Sequence, residues 1–370
     1  MISLVNKKYD LIFVGTSMIC VLEAIYQSKK GKSVLMLDNN EGMGGAWRSL
    51  DIFGLHDVEN AIHYFLPDPN AFKFMKENLN WDLVDGARKY RVFNFPFLGY
   101  CKMAYDSMLA RFLSKIIMGE YREPNQNVFI TFFKLFKSTL LEKKVPSCYV
   151  SGGAPEMLNT VKIMLDNSSV KVKYMSQIES IHVDNKNAVV EVEVGDMKYN
   201  AESIVFTHGS RISNLSGPKG PVEINEKFHR RPAVHLFVKD SVASKIHECI
   251  FTADPLIKYV HEITHITKEA EKISGHKKLF VFALQHEVDE SEQVYQSIFK
   301  KIKAVGMISK KAQIEQCCWA DVYLPTLYDE DLINLKNELA PQVKYLRTED
   351  FARGIGYNVH RWSNVIRFSK

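Results

Sequence analysis

The fold is decided by the run Tyr9-Asp-Leu-Ile-Phe-Val-Gly15-Thr-Ser-Met-Ile-Cys20, which is followed by Ser33-Val-Leu-Met-Leu-Asp38 and Gly44-Gly45-Ala-Trp-Arg48. The first run is almost entirely apolar up to its glycine, as expected for a strand that is covered on both faces. Apolar residues at helical spacing come next, and then a second apolar strand that ends in an acid. This order is typical of a dinucleotide-binding βαβ unit, in which a glycine turn lets the backbone approach a pyrophosphate.

The turn keeps only the first glycine of the G-x-G-x-x-G fingerprint, which is Gly15. Ser17 and Cys20 stand where the fingerprint has its second and third glycines. Serine adds a Cβ where the pyrophosphate approaches, although its hydroxyl can also donate a hydrogen bond. Asp38 follows Gly15 by 23 residues, near the spacing of an acid that binds ribose hydroxyls. The residues therefore predict a dinucleotide held by Gly15, Ser17 and Asp38, with a βαβ unit that holds no ligand as the alternative.

Two further glycines, Gly44 and Gly45, come soon after the predicted ribose acid. They favour the ligand-binding interpretation, since a second close approach of the backbone has no obvious purpose in an empty unit. Arg48 is then placed to neutralise phosphate charge. A solvated surface arginine is the alternative for this position.

The rest of the pattern predicts short strands in the middle of the chain and a closing helix. A turn into a helix is predicted at 152–156, where a proline stands near the helix start. The other predicted elements are a helix at 70–79, strands within 88–96, helical structure over 99–145, strands at 170–174, 178–183, 188–194 and 198–206, alternating strands and helices over 213–339, and a strand, a turn containing Gly354 and Gly356 and a final helix over 343–367.

The composition is that of an ordinary globular protein, with 370 residues, 46% hydrophobic residues and a net charge of +5. The basic residues are spread along the chain, which argues against a nucleic-acid partner. Six irregularly spaced cysteines without a C-x-x-C pair, and no signal peptide, predict reduced thiols and a cytoplasmic location. No segment has the length of a membrane span. The apolar run 128–141, interrupted by two lysines, predicts a buried helix or a basic helix that contacts a membrane surface.

The segment His261-Glu-Ile-Thr-His265 matches the H-E-x-x-H zinc motif. That motif requires a helix, so that both histidines share one face. The surrounding residues are β-branched and predict a strand, in which the two histidines lie too far apart to share one zinc ion. We therefore expect no metal at this motif, and a strand with two partly exposed histidines.

The chain resembles a flavoprotein superfamily that contains amine oxidases, protoporphyrinogen oxidases and UDP-galactopyranose mutases. These proteins open with the same strand, turn, helix, strand and acid, followed by a Gly-Gly pair. Five weaker segments extend the resemblance along the chain. They are Ala61-Ile-His63-Tyr-Phe65, Asn94-Phe-Pro96, Ser151-Gly152-Gly153, Thr207-His-Gly209 and Glu349-Asp350 with the glycines that follow.

The resemblance implies an α/β fold with a Rossmann-type FAD-binding domain in three segments (1–98, 147–212 and 340–370) and an interleaved α+β cap or substrate domain (99–146 and 213–339). It implies an FAD-dependent oxidoreductase that transfers a hydride between flavin and a small or medium organic substrate. His63 is then the candidate catalytic residue, over the flavin or in contact with substrate, and a structural histidine is the alternative for this position. Ile178 begins the strand whose backbone meets the adenine, and Asp350 binds the ribityl chain. Mutase-like chemistry on a nucleotide-sugar is an alternative.

A second resemblance leads to a different class of function. Gly15-Thr16 with Cys20 is similar to the turn of Rab GDP-dissociation inhibitors and Rab escort proteins, which keep this fold without using FAD. A non-catalytic, FAD-free binding protein is therefore the alternative to an enzyme. If the substrate is an anion such as a nucleotide-sugar, five arginines are candidates to bind it. They are Arg88, Arg91, Arg230, Arg231 and Arg361.

Overall fold

The computed structural model gives the conformation of most of the chain. The residues it describes are 7–61, 63, 65, 68–85, 90–95, 97–118, 128–141, 148–184, 186–207, 214–222, 227–242, 246–264, 277–326, 339, 341–346 and 351–368.

These residues form helices and strands in the following bounds. The helices are α1 Met18–Lys29, α2 Pro69–Glu77, α3 Met108–Met118, α4 Val128–Leu141, α5 Gly153–Asp166, α6 Glu292–Ala304 and α7 Phe351–Trp362, with a 3-10 turn at Gly45–Trp47. The strands are β1 Lys7–Val14, β2 Val34–Leu37, β3 Ser49–Ile52, β4 Leu55–Glu59, β5 Leu83–Asp85, β6 Tyr90–Phe95, β7 Gly99–Ala104, β8 Cys148–Val150, β9 Lys171–Lys173, β10 Ser180–Asp184, β11 Val189–Val194, β12 Met197–Thr207, β13 Leu215–Gly217, β14 Gly220–Val222, β15 Lys227–Lys239, β16 Glu248–Thr252, β17 Ile257–Glu262, β18 Lys277–Leu284, β19 Gln313–Thr326 and β20 Val343–Leu346.

The first sheet contains five parallel strands in the order β9-β2-β1-β12-β20. The first half of β12 also pairs antiparallel with β11, which extends the sheet through β10, β13 and β14. In β1, Leu11 and Phe13 face a core that contains α1, α5 and α7, whereas Ile12 and Val14 face the core formed with β10 and β11. This burial on both faces confirms the prediction for the opening strand.

The second sheet has the order β19-β15-β18-β17-β16-β6-β7 and is antiparallel except for the pair β16 and β6. Helix α6 covers one face, with Ile298 and Ile302 fully buried. A Rossmann-type parallel sheet joined to a mixed α+β unit confirms the predicted α/β fold class.

Helix α7 packs against α1 through a buried carboxylate. Glu23 is 4% exposed and accepts hydrogen bonds from Trp362 Nε1 at 2.7 Å and Arg361 Nη2 at 3.0 Å. Such a charge is tolerated in a core because it is paired and hydrogen-bonded. The contact joins the first and last helices of the parallel-sheet unit.

Two of the predicted elements are wrong in type. The pattern over 99–145 predicts helices, but 99–104 is strand β7, whose edge pairing with β6 outweighs its helical spacing. The predicted turn with Gly354 and Gly356 lies inside α7. At Gly356 a Cβ would stand 2.3 Å from Oδ2 of Asp68, the cap of α2, so the glycine serves close packing of two helices.

Two of the predicted domain segments contain strands that pair with the sheet of the other predicted domain. Strand β6 falls within the segment 1–98 but belongs to the second sheet, because it pairs with β16 and β7. Strands β13 and β14 fall within 213–339 but extend the first sheet. The three-segment division into two domains otherwise stays a prediction.

Candidate functional site

The turn after β1 has the backbone geometry that its glycine suggests. Gly15 has φ +88°, a left-handed conformation that disfavours other residues, and a Cβ added there would meet nothing within 4 Å. Ser17 caps α1, and its hydroxyl oxygen accepts from Cys20 N at 3.5 Å. Cys20 is fully buried, so the third fingerprint position is filled by a packed thiol.

Asp38 lies at the end of β2, but its carboxylate is already occupied. Oδ2 accepts from Thr16 N at 2.7 Å and from the Thr16 hydroxyl at 2.5 Å. Oδ1 accepts from Asn40 N at 2.9 Å and from Asn40 Nδ2 at 2.8 Å. A carboxylate has about four acceptor directions, so the chain's own donors use the capacity that ribose hydroxyls would need.

The glycine pair lies directly beside this turn. Gly44 N donates to Thr16 O at 3.1 Å, and a Cβ at Gly44 would stand 2.7 Å from Leu158 Cδ2. Gly45 has φ +58° with open space where its Cβ would point. Arg48 donates through Nη2 to Asn40 Oδ1 at 2.8 Å and through Nε to Gly45 O at 3.3 Å. The arginine therefore ties the glycine pair to the loop that holds Asp38.

The other two predicted cofactor contacts lie elsewhere or cannot be placed. Ile178 precedes β10 rather than lying within it, and it packs, half-buried, against the first sheet. Asp350 lies outside the described residues. The structure brings together Gly15, Ser17 and Asp38 with the Gly44–Arg48 segment.

His63, the candidate catalytic residue, lies close to the glycine pair. Its ring stacks on Trp47, the last residue of the 3-10 turn, with centroids 4.0 Å apart, and Trp47 stacks in turn on Phe65 at 6.1 Å. His63 Nδ1 is buried and has no hydrogen-bond partner among the described residues. A buried ring nitrogen left in this state needs an explanation, and an acid–base role is one.

Glu59 is the charged neighbour of His63. It ends β4, is 5% exposed, and its Oε1 lies 3.8 Å from His63 Nδ1. Oε1 also accepts from Ala154 N at 2.5 Å, at the start of α5, where the helix dipole favours a negative charge. Burial raises the pKa of Glu59, but contact with His63 and the Ala154 N–H outweighs burial and leaves that pKa below its usual value. Glu59 is therefore an ionised carboxylate at neutral pH.

Strand β8, which pairs with β5, and the second sheet add a tyrosine, histidines and an acid to the same region. The ring of Tyr149, in β8, meets His261, in β17, edge-on with centroids 5.5 Å apart. Burial, followed by the charges of Glu248 and Glu59, raises the pKa of Tyr149, so the phenol stays protonated. His235 in β15 links the second sheet to Glu59, because its Nε2 lies 2.7 Å from Glu59 O.

The zinc motif receives no support from the described residues. His261 and Glu262 lie in strand β17 as predicted, and no group of metal ligands occurs in the part of the chain that the structure describes. His265 lies outside that part. The expectation of a partly exposed His261 is wrong, because the residue is 7% exposed and its ring packs against Tyr149.

Three of the five candidate arginines are engaged in structural contacts, among them Arg361, which binds Glu23. Arg231 is exposed in β15. Arg230 binds Asp289 and Asp321, which raise its pKa. Arg91 donates to Ser114 Oγ at 2.9 Å, and Arg88 lies outside the described residues.

Sequence reasoning found His63 but missed the polar groups around it. Glu59 stands four residues before His63, and Trp47 stands two residues after Gly45, so both were within reach of a local search. Tyr149 and His261 carry no signal for this site, because they reach it from two strands, β8 and β17, that are distant in sequence from His63.

Comparisons with known proteins support the architecture. A scan against protein-family models and a search of curated proteins found no match. Among solved structures, wild-type putrescine oxidase with bound putrescine is 12% identical with a TM-score of 0.63, covering 97% of this chain and 98% of that chain. A candidate protoporphyrinogen oxidase from an Exiguobacterium species is 10% identical with a TM-score of 0.63, covering 97% and 99%. Rab GDI from Plasmodium falciparum is 12% identical with a TM-score of 0.52, covering 97% of each chain.

At sequence identities this low, the structural similarity establishes the fold alone. The likeness spans nearly the whole of this chain and of each neighbour, and it includes both branches that the sequence resembles. The protein thus has the fold shared by amine oxidases, protoporphyrinogen oxidases and Rab GDP-dissociation inhibitors.

Proposed function

We propose that the protein is an FAD-dependent oxidoreductase of the amine-oxidase type that acts on a small or medium organic substrate. The observation that carries this proposal is the buried Glu59–His63 pair, which lies one aromatic ring, Trp47, away from the Gly44–Gly45 turn. A carboxylate and an imidazole held together away from water suit acid–base catalysis. The fold of putrescine oxidase supports the same class.

The residues around the turn fit a dinucleotide in part. Gly15 and Gly45 have left-handed backbones and open space on the side where a Cβ would point, which suits close approach of a pyrophosphate. Ser17 would offer a hydroxyl and Arg48 a positive charge. FAD, when bound, would accept or return a hydride. Asp38 fits the ribose only if Thr16 or Asn40 gives up a hydrogen bond to it.

The chain's own groups would manage the proton that accompanies hydride transfer. His63 would take it from a substrate N–H or O–H, and the ionised Glu59 beside Nδ1 would stabilise the resulting imidazolium. Trp47 and Phe65 would hold the imidazole in place and exclude water. Such general acid–base assistance contributes about 10²–10⁴-fold in rate.

The first experiment is the visible absorption spectrum of the purified protein, followed by a thermal melt with added FAD. Oxidised-flavin bands, or a rise in Tm with FAD, support the proposal. A colourless protein whose Tm does not respond to FAD contradicts it.

A pair of glycine variants tests the position of the cofactor. Gly15→Ala and Gly31→Ala add the same methyl group at similar angles, φ +88° and φ +83°, and neither methyl meets an atom within 4 Å. Both variants should lose similar stability, but only Gly15→Ala should lose FAD. Equal flavin retention in the two variants would show that the turn does not hold the cofactor.

The catalytic role is tested with His63→Gln and Glu59→Gln in flavin-loaded protein, using hydrogen peroxide release from a panel of amines. Both variants should retain flavin and lose at least tenfold in kcat. Unchanged kcat in either variant excludes that residue from the reaction.

One observation favours a second candidate, an FAD-free binding protein. The Asp38 carboxylate is 4% exposed and accepts four hydrogen bonds from Thr16 and Asn40, so the turn is complete without a ligand. Rab GDI is among the solved structures with this fold. For this candidate, the protein stays colourless and Thr16→Val, which removes the hydroxyl donor, lowers stability without changing any response to FAD.

A further inference from the structure

Exposed apolar side chains concentrate in one part of the surface. Among the described residues, seventeen large apolar side chains stand exposed, and twelve of them lie between positions 97 and 141. Phe133 is 73% exposed and Leu141 is 71% exposed. Scattered exposed apolar residues are normal, but a contiguous group marks an interaction surface.

Helices α3 and α4 differ from a typical water-exposed helix pair in which side chains they bury and which they expose. The buried positions of the two helices are Ala110, Ser114, Leu135 and Thr139, and Ser114 accepts a hydrogen bond from Arg91 in β6. The Thr139 hydroxyl donates to Leu135 O at 2.8 Å, within its own helix. The opposite side of α4 presents Phe133 and Leu140 to the outside. Three of the four buried positions therefore carry small or polar side chains, whereas many large apolar side chains stand exposed, as in helices that contact lipid.

The charge on the two helices is of one sign. Their 25 residues contain Arg111, Lys115, Lys134 and Lys137 and not one acid. In the whole chain 43 of 370 residues are acidic, so about three acids are expected in a segment of this length. Lys134 and Lys137 are exposed on the same side of α4 as the apolar residues.

We propose that α3 and α4 bind the surface of an anionic lipid bilayer, with the outer apolar side chains at the level of the acyl chains and the lysines at the headgroups. The residue pattern is that of an interfacial helix, apolar and basic. Lysine reaches headgroups by extending its apolar stem past the buried residues. The 14 residues of α4 extend about 21 Å, short of the roughly 30 Å of a hydrocarbon core. No helix among the described residues is long and apolar enough to cross a bilayer.

A second copy of this chain is a poorer occupant of the same surface. In a twofold dimer the same patch meets itself, so basic residues of one copy would face basic residues of the other. Like charges across an interface disfavour association. Anionic headgroups offer the complementary charge, and each lysine near the surface strengthens binding about fivefold.

Lipid vesicles test the proposal with the full-length protein. Vesicles of phosphatidylcholine with about a third phosphatidylserine should sediment the protein, vesicles of phosphatidylcholine alone should retain less of it, and salt should reduce the difference. Wild-type protein that stays in the supernatant with both kinds of vesicle overturns the proposal.

Two variants locate the surface, each with a matched control. Phe133→Ser/Leu141→Ser should weaken vesicle binding at least tenfold, whereas Val242→Ser, at a 54% exposed position outside the two helices, should not. Phe133, Leu141 and Val242 are all exposed, so we expect the substitutions to leave the fold intact. Circular dichroism checks this.

The charge variant Lys134→Glu/Lys137→Glu should abolish the preference for phosphatidylserine. Lys310→Glu/Lys311→Glu makes the same change in net charge at exposed positions elsewhere and should keep the preference. Equal effects of test and control variants overturn the proposal. So does sedimentation analysis without lipid that finds a dimer which Phe133→Ser/Leu141→Ser dissociates.

Discussion

Acid should destabilise this protein through His235, and the effect can be worked out from the site. The ring is fully buried in β15, and its Nε2 donates to Glu59 O at 2.7 Å, which fixes the neutral tautomer. Nδ1 has no hydrogen-bond partner among the described residues, so a second proton there would be buried without an acceptor. Burial accordingly lowers the pKa of His235 from 6.5 to about 4.

The sign follows from proton binding in the two states. Between pH 6.5 and about pH 4 the unfolded chain holds a proton on His235 that the folded chain refuses, so acid favours unfolding. The stabilisation by the neutral ring is fully present above pH 6.5 and is lost as the pH falls towards 4. The difference between the two pKa values corresponds to about 3 kcal/mol, of which about 2 kcal/mol is lost by about pH 4.5.

Urea unfolding of wild type and His235→Gln at about pH 7 and about pH 4.5 measures this effect. Glutamine keeps an N–H for Glu59 O but does not titrate, so the acid-induced loss of free energy of unfolding should be about 2 kcal/mol smaller in the variant. His182→Gln, at an exposed position, should behave as wild type. The reasoning is refuted if His235→Gln and wild type lose the same free energy between the two pH values.

Three further predictions concern packing and thiol chemistry. Glu23→Gln should lower the free energy of unfolding by about 2 kcal/mol, because it weakens the contacts with Trp362 and with the partly solvated Arg361. An unchanged Tm would contradict this. Gly44→Ala should destabilise the fold, because its Cβ would stand 2.7 Å from Leu158 Cδ2 at φ +118°, and adding Leu158→Ala should restore part of the loss in urea titrations. Cys249, fully buried with a thiol pKa raised by burial to about 12, should resist iodoacetamide in native protein and react after unfolding, as peptide mass spectrometry will test; rapid native labelling would show the site to be open.

The parallel-sheet unit was predictable because its signals are local. The apolar strands, the positive-φ glycine Gly15 and the acid that ends β2 lie within forty residues, and each obeys a short-range rule. Errors arose where packing decides. Residues 99–104 form an edge strand because β6 pairs with them, and Gly356 of α7 allows close contact with the cap of α2.

Only the part of the candidate site that comes from neighbouring segments of the chain was predictable from the sequence. His63 and the glycine pair come from neighbouring segments, whereas Tyr149 and His261 reach the same place from distant strands. The occupation of Asp38 by Thr16 and Asn40 could not be foreseen either, since it depends on the exact approach of two loops. Periodicity identifies strands and helices but not which side chains meet between them.

The contact of Glu23 with Trp362 also has a consequence during synthesis. Strand β1 leaves the ribosome more than 300 residues before β20, which completes the parallel sheet by pairing with β12, and before the helix whose indole donates to Glu23. At about 5–20 residues per second, that interval lasts roughly 20 to 60 seconds. For this time the nascent sheet has an open edge, and of the hydrogen-bond partners that Glu23 has among the described residues only Gln27, in the same helix, has been synthesised. The unfinished sheet therefore exposes an edge to which other chains could pair.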